Sequence, residues 1–144
     1  LLGPLAAPPE AARPAIAERA RSARSDGMLG IANAIADAAL SKETKAENPN
    51  AQGFVREMLL RQPAEGYALS CLALSEAQAA DAAAIQCPVL LVTGDQDGVA
   101  PEANVASLHQ SLPHSDMHVL KSCGHWTLTE RDADVIPLMR DFLD

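Results

Sequence analysis

Aromatic residues are scarce in this chain: one Trp, one Tyr and two Phe among 144 residues. A core here cannot rest on stacked rings and must come from aliphatic side chains. The hydrophobic fraction of 48% is largely alanine, with 28 residues, while Leu, Ile, Val and Phe together number 32. Those four types make up about 22% of the chain, just above the level at which disorder is the expectation. A chain of this length can still bury roughly two-thirds of its unfolded surface. Basic residues are few as well, 11 against 19 acidic ones, for a net charge of −8. That balance argues against nucleic acid as a partner, because phosphate binding needs a basic face. No apolar run is long enough to cross a bilayer. The N-terminal residues also lack the basic region and long apolar stretch of a signal peptide. Three cysteines without paired spacing argue against a disulfide framework or a four-ligand zinc site. A cytoplasmic protein without a membrane partner is expected. The absence of a glycine-rich phosphate loop disfavours a nucleotide-binding domain. The chain opens Leu1-Leu2-Gly3-Pro4-Leu5 without an initiator methionine. It reads as the exit of a strand and as the continuation of something longer.

Two compositional halves follow. Residues 8–84 are alanine-rich and helical in pattern. A first helix opens at Pro8-Pro9-Glu10 and stops at Asp26-Gly27. Its Arg13, Arg19, Arg21 and Arg24 are most simply a solvated face. A second helix is expected over 28–40. Residues 41–50 are polar and read as a loop. A third helix covers 51–61 with Phe54, Val55, Met58 and Leu59 as its stripe, and a fourth begins at Pro63 and carries Tyr67, Cys71, Leu72 and Leu74. Residues 85–144 alternate strand and helix. Val89-Leu90-Leu91-Val92 is a continuous apolar run, the pattern of a parallel strand buried on both faces. A helix from Pro101 to Leu112, a second strand over 117–120, a loop containing Gly124-His125-Trp126 and a last helix to Leu143 complete the pattern. Pro137 predicts a kink or a late start in that last helix. Two or three strands are too few for a covered parallel sheet, which again points to a missing piece.

In an open parallel sheet, sites form where loops leave the carboxyl ends of the strands. Asp97 lies just beyond the first strand and His125 just beyond the second. Neighbouring strands are about 4.8 Å apart, so the two loops can bring an aspartate to a histidine. A carboxylate behind an imidazole is what a hydrolytic triad needs behind its nucleophile: it fixes the tautomer and stabilises the imidazolium.

At these residues the sequence resembles the α/β-hydrolase fold family. The resemblance rests on Pro88 to Pro101, where the family's acid falls on Asp97. It also rests on Leu120 to Trp126, where the family's histidine falls on His125, and on Glu130, five residues later. Within the family, the Gly-His-Trp ending and the helical first half look most like 3-oxoadipate enol-lactonase-like hydrolases. The resemblance implies an α/β fold in which 1–7 is the exit of a sheet strand, 8–84 a helical cap, and 85–144 the C-terminal core segment carrying acid and histidine. It implies hydrolysis of a carboxylic ester or lactone without a cofactor. The family's nucleophile sits in Gly-x-Ser-x-Gly on a strand-to-helix turn, and no such motif occurs in this chain. The nearest is Ala23-Arg24-Ser25-Asp26-Gly27, preceded by a helix rather than a buried strand. The serine and the oxyanion hole are therefore expected in a missing N-terminal half, on the same or a separate polypeptide, and the chain alone is expected to be inactive.

Alternatives stand beside this reading. Asp97 can be an Asx-turn residue with Gly98, with Asp95 as a fallback acid. Trp126, Phe54, Met58 and Tyr67 are candidate substrate contacts, or packing residues. His109, His114 and His118 do not converge on one predicted face, so no metal is expected. Residues 93–98 faintly echo a calcium loop but lack its leading Asp and closing Glu. Cys71, Cys87 and Cys123 read as small packing residues. The whole protein can instead be a non-catalytic binding module on the same scaffold, a carbon–carbon bond hydrolase or a cofactor-free haloperoxidase. A homo-oligomer is an open alternative.

Overall fold

The computed structural model describes all 144 residues. The chain runs through α1 (Arg13–Asp26), α2 (Leu29–Ala38), α3 (Lys42–Glu47), α4 (Pro49–Leu60) and α5 (Ala64–Glu76). It continues through β1 (Val89–Gly94), α6 (Glu102–Ser111), β2 (Ser115–Leu120), α7 (Thr127–Glu130) and α8 (Asp132–Leu143), with short 3-10 turns at Glu10–Ala12 and Ala82–Ala84. It divides into two compact units: residues 1–5, 39–51 and 80–144 form one, and residues 6–38 and 52–79 the other.

The first unit is built around β1. It pairs with β2 in parallel, Val89 opposite Ser115 through Gly94 opposite Leu120. On its other side Leu2 bridges Val92, again in parallel, with Val92 N–H donating to Leu1 O at 3.0 Å and Gly3 N–H to Val92 O at 2.8 Å. Both edges of β1 are therefore hydrogen-bonded, and both of its faces are covered by side chains. Leu90 and Val92 pack with Leu120, Cys123, Val135 and Leu138. Leu91 and Val89 pack with Ala100, Val105, Leu108 and Leu112. Side chains alternate across a strand, so α8 covers one face and α6 the other, as the unbroken apolar run required.

The second unit is helical, with α1 packed along α5 and with α2 and most of α4 beside them. Ile16, Ala20 and Ala23 of α1 share a core with Ala68 and Cys71 of α5 and with Met28 and Ile31. The i, i+4, i+7 spacing puts the α1 residues on one face, and small side chains there let the helices approach closely.

Three expectations are corrected. Arg13 is not part of a solvated face: its guanidinium donates to Ser75 O at 2.6 Å and Ala77 O at 2.8 Å. Those carbonyls lie at the end of α5, where intrahelical donors run out. The polar stretch 41–50 is not a loop but holds α3 and the start of α4. Ser41 caps α3, its Oγ accepting from Thr44 N–H at 3.1 Å, a standard role for serine. The last helix is broken at Arg131, whose φ is −142° and ψ 48°, and Pro137 lies inside α8.

The two loops beyond β1 and β2 meet through Gly94. A Cβ at this position would lie 2.1 Å from Cys123 O and 2.5 Å from Gly124 O. Both obstacles are backbone, so nothing nearby can rotate away. We expect Gly94→Ala to destabilise the protein by about 3 kcal/mol or more, the upper range for overpacking. A urea unfolding midpoint close to that of the parent protein would contradict this.

Candidate active site

Asp97 enters on the turn that follows β1. Its side chain is fully buried, whereas that of His125 is 29% exposed. The carboxylate is held from three directions. Oδ1 accepts Val99 N–H and Ala100 N–H, each at 2.8 Å. Oδ2 lies 2.9 Å from His125 Nδ1, with Oδ1 at 3.2 Å from the same nitrogen. Thr93, buried on β1, donates to Ala100 O at 2.8 Å and reaches Asp97 Oδ2 at 3.4 Å. Burial by itself would raise the carboxyl's pKa. The bond from His125 and the backbone donors Ala100 and Val99 outweigh it, and the carboxyl is held below its ordinary value. An ionised carboxylate only accepts hydrogen bonds, so Nδ1 carries the proton and Nε2 is the basic nitrogen of the neutral ring.

His125 follows β2 on a loop whose backbone is tied down almost group by group. Cys123 N–H donates to Asp95 Oδ1 at 3.2 Å, and Cys123 O accepts Gln96 N–H at 2.8 Å. Gly124 N–H donates to Glu130 Oε1 at 2.9 Å, and His125 N–H to Ala39 O at 2.8 Å. Arg131 donates to the carbonyls of Lys121 and Ser122, where Ser122 turns the chain at a positive φ of 52°.

Gly3 closes the other side. A Cβ there would lie 2.8 Å from His125 Nδ1 and 3.2 Å from Asp97 Oδ2, and its φ is +57°. Both the space and the backbone conformation therefore call for glycine. The role of Gly3 was not read from the sequence, although a Gly-Pro pair directly after strand-like residues was the available signal. Asp95, the fallback acid, is occupied: its carboxylate accepts the Cys123 backbone N–H.

Trp126 directly follows His125, partly buried, its Nε1 shielded from solvent without a hydrogen-bond partner. Phe54, Met58 and Tyr67 belong to the helical unit. Phe54 and Met58 are exposed on α4, while Val55 and Leu59 are buried; Tyr67 is partly buried against the α1–α5 core. Ser25 lies exposed near the end of α1, outside any strand-to-helix turn. Cys123 is fully buried. Burial first, and then the negative charge of Glu130, pushes its thiol up to about 12, so it is a protonated packing residue at neutral pH.

A buried, backbone-held carboxylate thus stands behind a partly exposed imidazole at the carboxyl ends of adjacent parallel strands of an α/β fold. The chain belongs to the alpha/beta hydrolase fold family, whose pattern matches residues 7–132. It is 31% identical to 3-oxoadipate enol-lactonase 2 of Acinetobacter baylyi over 105 residues, 72% of this chain and 39% of that protein. It is 38% identical to a 2-hydroxy-6-oxononadienedioate/2-hydroxy-6-oxononatrienedioate hydrolase of Pseudomonas putida over 61 residues, 42% of this chain and 21% of that protein. Among solved structures, the enol-lactonase from Burkholderia xenovorans superposes with a TM-score of 0.81 at 27% identity, over 88% of this chain and 48% of that one. A thermophilic esterase from Thermogutta terrifontis reaches 0.88 at 24% identity, over 95% and 51%, a likeness of fold. The chain thus spans about half the length of these structures and less of the curated relatives.

The Asp97 carboxyl gives a pH signature. It ionises more readily in the folded protein than in the unfolded chain, where an aspartate titrates near 3.9. Its stabilising contribution is therefore complete above about pH 4 and is lost as pH falls through the lower, folded value. We expect the urea midpoint of the parent protein to fall more steeply below about pH 4 than that of Asp97→Asn. Parallel curves would show that the carboxylate is not preferentially stabilised by folding.

Proposed function

We propose that the chain is the acid- and histidine-bearing part of an enzyme that hydrolyses carboxylic esters or lactones. The observation that carries this reading is the Asp97–His125 pair, 2.9 Å apart with the acid buried. In the proposed mechanism His125 Nε2 takes the proton of a serine hydroxyl as that oxygen attacks the substrate carbonyl. Asp97 keeps Nδ1 protonated and stabilises the imidazolium. The imidazolium then returns the proton to the departing alkoxide or enolate, and a water activated by the same nitrogen releases the acyl group. The serine and the oxyanion donors lie outside these 144 residues, which contain no Gly-x-Ser-x-Gly. On this reading residues 8–84 are the cap segment, and Trp126, next to the base, faces the substrate. No cofactor enters the mechanism. A cytoplasmic location belongs to the same proposal; no helix here is long and apolar enough to cross a membrane.

The enol-lactonase relationship favours a lactone or ester, because its match spans 105 residues. Carbon–carbon bond hydrolysis is the second reading, favoured by the higher identity to the 2-hydroxy-6-oxo-dienedioate hydrolase over a shorter stretch.

The test is made in the complete protein. We expect His125→Ala to lower kcat by roughly 10⁴-fold, the scale seen when a triad is disabled, with an unchanged circular dichroism spectrum. A fluorophosphonate probe should label a serine outside these residues. Enol-lactone and aryl-ester substrates should turn over faster than a 2-hydroxy-6-oxo-dienoate; the reverse order would favour the second reading. Full activity in the His125 variant would sink both.

A further inference from the structure

Glu130 is a buried carboxylate that the proposed mechanism does not use. It sits at the end of the four-residue α7, 8% exposed. Its two oxygens reach two separate pieces of chain. Oε1 accepts Gly124 N–H at 2.9 Å, and Oε2 accepts Ser41 N–H at 2.8 Å across 89 residues of sequence. Beside these bonds His125 N–H donates to Ala39 O at 2.8 Å. Residues 39–41 and 124–125 are thereby interlocked by three hydrogen bonds, two of them made by one side chain. Burying a carboxylate is costly unless it is hydrogen-bonded. Here both oxygens are used, and bonds to an ionised acceptor are the strong kind. A neutral amide in the same place can offer only one oxygen and turns a donor toward the second N–H.

Gly124 is the residue that sets the backbone of His125. With the loop behind it fixed by Arg131 and Asp95, the Glu130 bond holds the Cys123–Gly124 peptide, and the bond from His125 N–H to Ala39 O holds the next one, leading into the histidine. Gln96 adds to the same arrangement from the acid's turn, accepting Lys42 N–H at 3.1 Å and donating to Glu43. The segment 39–43 is therefore tied to both loops that carry the Asp97–His125 pair.

We propose that Glu130 is a positioning residue for His125, clasping the histidine loop to the backbone at Ser41 so that the imidazole stays aimed from Asp97. The proposal rests on the reading of His125 as the base. It is tested in the complete protein with Glu130→Gln and Glu130→Ala. We expect kcat to fall on the order of 10-fold in the Gln variant and 100-fold in the Ala variant, since an ångström of misplacement costs about that much. KM should stay within about twofold. The downfield proton NMR signal of His125 Nδ1–H needs no substrate. It should shift or weaken in the same order, measured well below each variant's unfolding temperature. An unchanged signal in both variants, with only a lowered Tm, would overturn the proposal and leave Glu130 a stabilising residue. If the Ala variant does not fold, the Gln variant decides by the same signal. If the signal moves but neither the Glu130 variants nor His125→Ala alters turnover, the positioning role stands and the reading of His125 as the base fails.

Discussion

The bond between His125 Nδ1 and the Asp97 carboxylate is the constraint around which the sheet unit is arranged. It joins two loops separated by 28 residues, and it forms only if β1 and β2 run parallel and end at the same level. Their register supplies this, with Gly94 opposite Leu120 at the last pair. A parallel connection needs a crossover element between the strands, and α6 is that element. Its apolar face, Val105 and Leu108, covers one side of β1 while Val135 and Leu138 of α8 cover the other. The core thus fixes the two strand ends, and the strand ends fix the pair.

What the strands leave undetermined, backbone hydrogen bonds settle. The loop from Lys121 to His125 has no regular structure, yet it is not free. Its polar groups are met by Asp95, Gln96, Glu130, Arg131 and the carbonyl of Ala39. A buried loop without such partners would carry unpaired groups at considerable cost. Here the partners come from both sides of the site, so satisfying the loop also fixes its position. Gly3 adds the remaining wall by leaving out a side chain where the imidazole must pass.

The parts legible in the sequence are those whose signal is local. Val89 to Val92 reads as a doubly covered strand because its neighbours alternate into two apolar clusters. Asp97 and His125 stand out because each follows a strand by a few residues. The segment 41–50 misleads because its polarity matches a loop, while a six-residue helix needs only the Ser41 cap and its neighbours to form. Arg13 misleads for a related reason: an arginine on an amphipathic helix looks solvated until the end of another helix arrives to be capped. The clasp at Glu130 is beyond any local reading, because its partner at Ser41 is 89 residues away. Recognising the glutamate is possible from the sequence; knowing what it holds requires the fold.

The chemistry of the remaining nucleophilic groups bears on where a reaction would have to begin. Cys123 is two residues from His125, the only thiol that close in sequence. Its burial and the nearby Glu130 carboxylate keep it protonated, and its sulfur points back toward the Gly124 carbonyl at 3.5 Å. A thiol in that state neither attacks nor yields its proton readily to an imidazole. Ser25 lies on a helix of the other unit, without the strand-to-helix turn that presents a catalytic hydroxyl. An oriented imidazole with a free basic nitrogen is useful only to a group that brings a proton to it. In the proposed enzyme that group arrives from outside these residues, and the work of this chain is to keep the base aimed at the place where it arrives.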